Sequence, residues 1–218
     1  MLWHLEYNSW ATTSSFFHLP SYIISLSSFS NKNQMNVYKT TIDGVVIIEP
    51  RVFNDARGYF FESFSQRDFF QNVVPVRFVQ ENESCSSKYV VRGLHYQNPP
   101  YSQAKLVRCV QGKIISLALD IRKDSPTYGI CLQTELSPDN KLSEFIPHGF
   151  AHGFISLEDN SIVQYKCDNY YNKEEMFGVN VLDPALNIAI PFGTEKAIVS
   201  EADIQRPLLK DIISPFQY

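Results

Sequence analysis

The chain has 218 residues, of which 44% are hydrophobic and 19% charged, and its formal net charge is −4. At roughly 100–200 residues per domain, this length predicts one domain with a single sizeable core. A mildly acidic balance disfavours nucleic-acid binding, which requires concentrated positive charge. No apolar run reaches the roughly 18 residues that a membrane-spanning helix needs. We therefore predict no nucleic-acid partner, from the charge, and no membrane partner, from the lengths of the apolar runs.

The first 34 residues differ in composition from the rest of the chain, because they are rich in serine and aromatic residues and contain no Lys or Arg before Lys32. Hydroxyl residues at 12–15 interrupt the apolar positions, which is untypical of a signal peptide. We predict that residues 1–34 are an appendage outside the core fold and that one β-barrel domain spans residues 35–218. An ordered arm that packs on a partner is the alternative.

From Met35 onward the hydrophobic pattern mostly has the period of two that is typical of β-strands, with turn residues between the runs. In chain order, strands are predicted at 45–48, 58–64, 77–83, 90–96, within 104–122, and at 130–135, 144–146, 153–157 and 161–167. A helix is predicted at 65–73, with Ser65 as its candidate N-cap, and a shorter helix at 208–213.

The clearest alternation lies within residues 104–122 and predicts a strand with one buried face, formed by Ile115, Leu117, Leu119 and Ile121. Gln111-Gly112 separates two such runs and predicts a tight hairpin, because glycine tolerates positive φ. Many short strands at near-regular spacing favour a sandwich or a closed barrel, since closure removes exposed sheet edges. The predicted fold is therefore all-β, of the jelly-roll type, with a few short helices.

Four cysteines are present, and no two of them form a C-x-x-C pair: Cys85, Cys109, Cys131 and Cys167. This spacing supports neither a zinc motif nor a redox motif. A domain of this size does not need disulfide bonds to be stable. We therefore predict free thiols and a location in the reducing cytoplasm.

Two segments combine polar residues with a strand-like pattern, at 90–97 and at 146–154. In a regular strand Arg92 and His95 would point to opposite faces, unless Gly93 introduces a β-bulge. The second segment has the Pro-x-Gly-x-x-His spacing of the second cupin motif and ends at His152. The matching first motif, with two histidines and a glutamate, is missing. Since two histidines are too few for a transition metal, no metal is predicted.

Without a metal, a histidine in a barrel mouth is a natural proton carrier, because its unperturbed pKa is about 6.5. A hydrogen-bonded structural role is the competing interpretation of His95 and His152. The catalytic interpretation is favoured by polar residues on neighbouring predicted strands: Arg92, Lys105, Arg108, Tyr96 and Tyr165. Arg57 and Phe60 each have two interpretations as well. Arg57 could bind a diphosphate or lie in a solvated turn. Phe60 could stack on a base or fill the core.

Taken together, these motifs resemble the dTDP-4-dehydrorhamnose 3,5-epimerase family, the dTDP-sugar isomerases, from Met35 to the C-terminus. Eight segments match in order, at 55–62, 78–82, 91–97, 103–108, 120–129, 146–154, 165–171 and 200–203. The resemblance implies a cupin-like double-stranded β-helix, no metal or other cofactor, and a homodimer. It also implies an isomerase that inverts C3 and C5 of the nucleotide-linked sugar dTDP-4-dehydro-6-deoxy-D-glucose to give dTDP-4-dehydro-L-rhamnose.

The resemblance further implies roles for individual residues. His95 would be the base that removes a proton beside the 4-keto group, with Asp203 as its orienting partner. Tyr165 would return a proton from the opposite face, and Lys105 would stabilise the enolate oxygen. Substrate contacts would come from Arg57, Phe60, Glu62, Gln80, Asn82, Arg92, His152, Tyr171 and Glu175. In family members, Arg57 and Glu62 would reach across from the partner subunit.

The sequence departs from the family pattern in the surroundings of the sugar and nucleotide, at Ala104, Met176, Val181, Leu182, Ile190 and Ala202. The acid and base residues are retained. Three alternatives therefore stay open. They are an epimerase that inverts only C3 or only C5 of a related nucleotide-linked 4-keto sugar, a non-catalytic cupin that binds sugar nucleotides, and a metal-dependent cupin enzyme.

Overall fold

The structure, a computed structural model, describes residues 23–26 and 35–218, with side chains from Met35 onward. Its strands are β1 (Ile23–Leu26), β2 (Met35–Thr40), β3 (Val46–Pro50), β4 (Phe53–Asp55), β5 (Gly58–Phe60), β6 (Gln80–Ser86), β7 (Val90–Gln97), β8 (Lys105–Gln111), β9 (Ile114–Asp120), β10 (Cys131–Leu136), β11 (Ser143–Ile146), β12 (Phe150–Ser156), β13 (Ser161–Cys167), β14 (Met176–Gly178) and β15 (Ile198–Val199). The α-helices are α1 (Gln66–Asn72) and α2 (Glu201–Ile204), and 3₁₀ turns lie at Pro184–Leu186, Thr194–Lys196 and Leu209–Asp211.

Most of these strands form two antiparallel sheets that face each other. The larger sheet has the order β1-β2-β3-β11-β8-β13-β6 and the smaller one the order β10-β9-β12-β7-β14, with β15 added in parallel to β7. Buried apolar residues from both sheets meet in one cluster, including Val107, Ala118, Phe154 and Val163. This arrangement confirms the predicted all-β, cupin-like jelly roll.

Strand β9 is buried on both faces, although its alternation predicted one buried face. Ser116 and Ala118 on the inner face are 0% exposed, and so are Leu117 and Leu119 on the outer face. The outer face is covered by residues that follow β14, among them Val179, Val181, Leu186 and Phe216. The prediction of a strand is confirmed. The prediction that only one of its faces is buried was wrong, because the residues that cover the other face come from a distant segment of the chain.

Gln111-Gly112 forms a turn between the two sheets, so the predicted hairpin was wrong. Strand β8 lies between β11 and β13 in the larger sheet, whereas β9 lies between β10 and β12 in the smaller one. Gly112 has a φ of +70°, and a Cβ there would lie 2.5 Å from Oγ of Ser161. A glycine turn reverses the chain direction, but it does not decide which strands pair.

Residues 58–64 form a strand only in β5, and the remainder of this run covers the larger sheet. The ring of Phe64 packs on those of Phe69 and Phe78, with centroid separations of 6.0 and 5.5 Å. Helix α1 follows Ser65 as predicted, and the hydroxyl of this N-cap accepts a hydrogen bond from the backbone N–H of Asp68. The second predicted helix is the 3₁₀ turn Leu209–Asp211.

Strand β1 lies within the segment that the sequence predicted to be outside the core fold. It pairs with β2, with Leu26 opposite Tyr38, and so adds an edge strand to the larger sheet. Residues 1–22 and 27–34 lie outside the described residues, and the division of the chain at Met35 stays a prediction. In the part of the chain that the structure describes, no helix is long and apolar enough to cross a membrane.

Candidate active site

A β-bulge in β7 brings Arg92 and His95 to the same side of the sheet. The register of β7 against β12 shifts between these two residues, so that two residues of β7 face Gly153 alone. Gly93 has a φ of +107°, and a Cβ there would lie 2.6 Å from Cα of Gly153. Only glycine fits this conformation and this close approach. The sequence left open whether Gly93 introduces a bulge, and the register shows that it does.

Arg92 and His95 line a cavity of about 640 Å³ whose walls come from both sheets. The four residues predicted to be catalytic lie on four different elements around it: His95 in β7, Lys105 in β8, Tyr165 in β13 and Asp203 in α2. The histidine belongs to the smaller sheet and the tyrosine to the larger one. An acid and a base on facing sheets can act on opposite faces of a ligand between them.

Asp203 is in hydrogen-bond contact with the ring of His95. Nε2 of His95 lies 2.5 Å from Oδ1 of Asp203, and Oδ2 accepts a hydrogen bond from the backbone N–H of Gly93 at 3.4 Å. Burial tends to raise the pKa of Asp203, but interactions with His95, Ser200 and Gly93 outweigh it, so the pKa lies below its usual value. An ionised Asp203 favours a hydrogen on Nε2 and leaves Nδ1 of His95 as the basic nitrogen.

Lys105 is a further residue that lines the same cavity. The residue is 8% exposed, and its Nζ donates a hydrogen bond to the carbonyl oxygen of His95 at 3.4 Å. Burial lowers the pKa of Lys105, and the neighbouring Cys167 partly offsets this effect. A desolvated cation interacts strongly with negative charge that develops beside it, because little water screens the attraction.

Tyr165 contributes a protonated phenol. Burial and the nearby Cys167 raise its pKa, while Asn82 and Arg92 act in the opposite direction with smaller effect. Its ring centroid lies 6.4 Å from that of His152. A phenol with a raised pKa keeps its hydrogen at neutral pH and can donate it to a strong base such as a carbanion.

His152 is a neutral imidazole in the wall of the cavity. It is 7% exposed, and burial lowers its pKa well below the usual value, with further lowering by the charges of Lys105 and His95. Its Nε2 lies 3.4 Å from the hydroxyl oxygen of Ser116. A neutral imidazole has one donor nitrogen and one acceptor nitrogen, so this contact bears on which nitrogen can donate to a ligand.

Residues 39–211 match the sequence model of the family described as dTDP-4-dehydrorhamnose 3,5-epimerase. The chain belongs to this family of isomerases. The Shigella flexneri dTDP-4-dehydrorhamnose 3,5-epimerase is 48% identical over 178 residues, which cover 81% of this chain and 92% of that protein.

Solved structures of family members have the same fold. The Legionella pneumophila dTDP-6-deoxy-D-glucose-3,5-epimerase, in complex with dTDP-4-keto-L-rhamnose, matches with a TM-score of 0.80 at 42% identity, covering 84% of this chain and 98% of that one. The Streptomyces bikiniensis 3'-monoepimerase ChmJ, in complex with dTDP-quinovose, matches with a TM-score of 0.72 at 30% identity, covering 78% and 86%. The chain is thus similar to 3,5-epimerases, which invert two positions, and also to a monoepimerase, which inverts one.

Some residues that the family resemblance assigns to substrate binding lie in or beside the cavity. Arg92, His152 and Tyr171 line it. Gln80 and Asn82 lie next to it on β6, where Gln80 donates a hydrogen bond to Asn82 at 2.9 Å. The side-chain oxygen of Gln80 also accepts a hydrogen bond from the backbone N–H of Tyr171 at 3.1 Å, which joins β6 to the loop at the cavity mouth.

Four other residues predicted to bind substrate are not among those that line this cavity: Arg57, Phe60, Glu62 and Glu175. The side chain of Arg57 is 90% exposed at the turn of the β4–β5 hairpin, where it forms an ion pair with Asp55. Phe60 is 70% exposed on the same hairpin. Glu175 precedes β14, and its neighbour Met176 lines the cavity instead. A single subunit therefore does not assemble the whole predicted set.

Arg206 lines the cavity but was not predicted from the sequence. It lies just beyond the end of α2, after the C-cap Gln205. Its Nη1 donates a hydrogen bond to the carbonyl oxygen of Met176 at 3.4 Å. No sequence signal pointed to Arg206, because no hydrophobic period assigns a side to a residue in the turn after so short a helix.

His95 and His152 lie opposite each other on β7 and β12, and this pair is the arrangement in the cavity that most resembles a metal site. Within residues 23–26 and 35–218, no group of three or more His, Cys, Asp or Glu side chains could hold a metal ion. Since transition metals use three or four protein ligands, a reaction without a metal stays the prediction.

Proposed function

We propose that this chain inverts C3 and C5 of dTDP-4-dehydro-6-deoxy-D-glucose to give dTDP-4-dehydro-L-rhamnose. The observation that carries this proposal is that His95 and Tyr165 come from facing sheets and line one cavity. Inversion of a carbon requires a proton to leave one face and another to arrive at the opposite face. A base and an acid on opposite sides of a planar enolate meet this requirement.

His95 acts as the base in the proposed reaction. Its Nδ1 removes the proton from the carbon next to the C4 ketone, and Asp203 stabilises the imidazolium that results. The electron pair of the broken C–H bond moves into the ring and onto the ketone oxygen. The ammonium group of Lys105 stabilises the enolate that forms there.

Tyr165 completes the inversion from the other face. Its phenol gives a proton to the carbon as the ketone forms again. The phenolate then takes a proton from solvent, and the imidazolium of His95 releases one to solvent. C3 and C5 both lie next to the C4 ketone, so the same two groups can serve both positions when the sugar ring changes its orientation. Each correctly placed group contributes roughly 10²–10⁴-fold to the rate.

The proposed nucleotide site draws on two subunits of a homodimer. Arg57 and Phe60 are exposed on a hairpin away from their own cavity, which suits contacts with a second subunit. A guanidinium group can bind a diphosphate through two hydrogen bonds, and a phenyl ring can stack on a base. The remaining proposed contacts are Glu62, Gln80, Asn82, Arg92, His152, Tyr171 and Glu175.

A mixed dimer tests this arrangement. Arg57→Ala and His95→Ala should each abolish or strongly reduce turnover as homodimers. If Arg57 serves the partner's cavity, a dimer with one subunit of each kind contains one intact site and should recover up to half of the native rate. No recovery in purified mixed dimers, with both parents folded, would show that Arg57 does not act across the interface.

Proton NMR in D₂O tests the reaction itself. Incubation with dTDP-4-dehydro-6-deoxy-D-glucose should place deuterium at both C3 and C5. Deuterium at one position alone would indicate the alternative that the similarity to ChmJ favours, a single-position epimerase.

His95→Ala should abolish exchange while substrate binding survives. Native exchange by that variant would overturn the assignment of the base, and absence of exchange in the wild type would indicate a binding protein.

The same NMR assay tests for a metal, because a reaction carried by His95 and Tyr165 should keep its full rate after exhaustive chelation. Loss of activity that added metal restores would favour a metal-dependent cupin instead.

The proposed location is the reducing cytoplasm. All four cysteines are free thiols. Burial raises the pKa of Cys109 and of Cys167 to about 11, which makes these thiols poor nucleophiles. Cell fractionation with alkylation of free thiols should recover the protein in the cytosolic fraction with four reduced cysteines.

A further inference from the structure

Arg206 lines the active-site cavity, but the proposed reaction gives it no role. Its Nη1 donates a hydrogen bond to the carbonyl oxygen of Met176 at 3.4 Å. Its Nε is buried and has no hydrogen-bond partner among the described residues. No ion pair in the part of the chain that the structure describes includes this guanidinium. Since arginine stays charged in proteins, Arg206 is an unpaired cation in the cavity wall.

The position of Arg206 depends on Gly178 in β14. Gly178 pairs with His95 on β7, the strand that supplies the proposed base. A Cβ at position 178 would lie 3.2 Å from both Cδ and Nε of Arg206. Because this position has no side chain, the arginine lies against the backbone of β14, directly beside the residue that pairs with His95.

The charges in the cavity wall favour an anionic ligand. Three Lys or Arg side chains line the cavity: Arg92, Lys105 and Arg206. The one carboxylate among the lining residues is that of Asp203, which is in hydrogen-bond contact with His95 at 2.5 Å. Positive charge in the wall therefore exceeds negative charge. Such an excess attracts an anion most strongly where low-dielectric walls limit screening by water.

We propose that Arg206 binds the phosphate that carries the sugar in a nucleoside diphosphate-linked substrate. This assignment rests on the proposed function and adds a residue to it. The phosphate is attached to C1, and only the ring oxygen separates C1 from C5, a carbon next to the ketone. When His95 acts at C5, the phosphate must lie close by, and Arg206 is beside the strand position that pairs with His95. A guanidinium group can bind two phosphate oxygens through parallel hydrogen bonds.

Titration calorimetry with two nucleotides tests this contact without turnover. The terminal phosphate of dTDP stands in for the phosphate that carries the sugar, and dTMP lacks it. Arg206→Gln should weaken dTDP binding by about ten- to hundredfold, the effect of lost charged hydrogen bonds, and should change dTMP binding by less than about twofold. Arg206→Lys keeps the charge but loses the paired donors, so its affinity for dTDP should be intermediate.

A purely structural role for Arg206, through the carbonyl of Met176, predicts a different pattern. Replacement of the arginine would then lower the melting temperature and weaken the binding of dTDP and dTMP equally. Lys210→Gln is the matched control, because Lys210 is exposed and does not line the cavity. This variant loses the same charge from the same C-terminal segment and should bind both nucleotides as the wild type does.

Steady-state kinetics with dTDP-4-dehydro-6-deoxy-D-glucose gives a second measurement. The charge of the phosphate does not change during proton transfer, so Arg206 should stabilise the bound substrate and the transition state equally. Arg206→Gln should therefore raise KM by about ten- to hundredfold and leave kcat within about threefold of the wild type.

Equal dTDP affinity in the wild type and Arg206→Gln would overturn the inference, and so would an equal loss of dTDP and dTMP binding. A wild type that binds dTDP, with the expected loss in Arg206→Gln, but exchanges no deuterium into the sugar would overturn the proposed function alone. A wild type that does not bind dTDP would overturn both.

Discussion

Nε2 of His95 lies 2.5 Å from Oδ1 of Asp203, although 108 positions separate the two residues in the chain. The histidine comes from β7, and the aspartate comes from α2 just after β15, which pairs in parallel with β7. The pairing of Ile198 with Val90 thus sets where α2 begins relative to the cavity. The C-terminal segment adds to the strand that supplies His95, the proposed base.

Replacing Asp203 by Asn should lower kcat by roughly 10²–10⁴-fold, because the amide no longer stabilises the imidazolium or fixes the tautomer of His95. Steady-state kinetics measures the effect. Ser200→Ala is the control, since it removes the cap of α2 but leaves the carboxylate. That change should cost about 1 kcal/mol of stability and far less activity. Equal losses in both variants would contradict a specific role for the carboxylate.

Replacing Tyr165 by Phe should separate proton removal from proton return. His95 is intact in this variant, so deuterium from D₂O should still enter the substrate with its original configuration, while the inverted product falls by roughly 10²–10⁴-fold. Proton NMR distinguishes the two outcomes. Tyr89→Phe, at a tyrosine that contacts Phe192 edge to face and does not line the cavity, should behave as the wild type. Inversion at the native rate without the Tyr165 hydroxyl would refute its role as the acid.

Gly93→Ala should destabilise the fold more than Gly58→Ala. Both glycines have positive φ, +107° and +128°, so each substitution introduces backbone strain of roughly 1–3 kcal/mol. Only at Gly93 would the new Cβ also collide with a neighbouring strand, 2.6 Å from Cα of Gly153. Urea unfolding should show the additional loss at Gly93, together with lower activity as the bulge shifts His95. Equal losses in the two variants would mean that the close approach of β7 and β12 relaxes freely.

Glu144→Gln should change stability in a pH-dependent way. Burial raises the pKa of Glu144 from 4.5 to about 7, so the folded state keeps a proton that the unfolded state releases between these values. Wild-type stability from this group therefore falls as pH rises from about 4.5 to about 7, by roughly 1.4 kcal/mol per unit of pKa shift. Glutamine does not titrate, so the variant should gain most relative to the wild type at pH 8. A difference in unfolding free energy that stays constant from pH 5 to pH 8 would contradict the raised pKa.

A chain that begins at Met35 should fold and keep its activity. The deletion removes β1, yet β2 retains five paired positions with β3, from Met35 opposite Pro50 to Lys39 opposite Val46. The residues that line the cavity all lie at or after Ser84. We expect kcat within about twofold of the full chain and a modest fall in melting temperature. A truncated protein that fails to fold or loses turnover would favour an ordered arm with a structural role.

Local features of the fold were predictable where a few neighbouring residues decide the backbone conformation. Strand β13 occupies the predicted range, because alternation from Ser161 to Cys167 suits one half-buried strand. Ser65 caps α1, and Gly93 allows the bulge that puts Arg92 and His95 on one side. Each of these depends on φ and ψ preferences or hydrogen bonds within a few positions.

The sequence by itself determined the strand-rich pattern and the helix cap, and through the family resemblance it supplied the proposed set of acid and base residues. Only the tertiary structure decided that β8 and β9 belong to different sheets, that both faces of β9 are buried, and that the Arg57 hairpin lies outside its own cavity. The same holds for the contact between Ser116 and His152. Strand pairing and burial depend on segments far apart in the chain, and no local pattern of residues specifies which distant segment arrives.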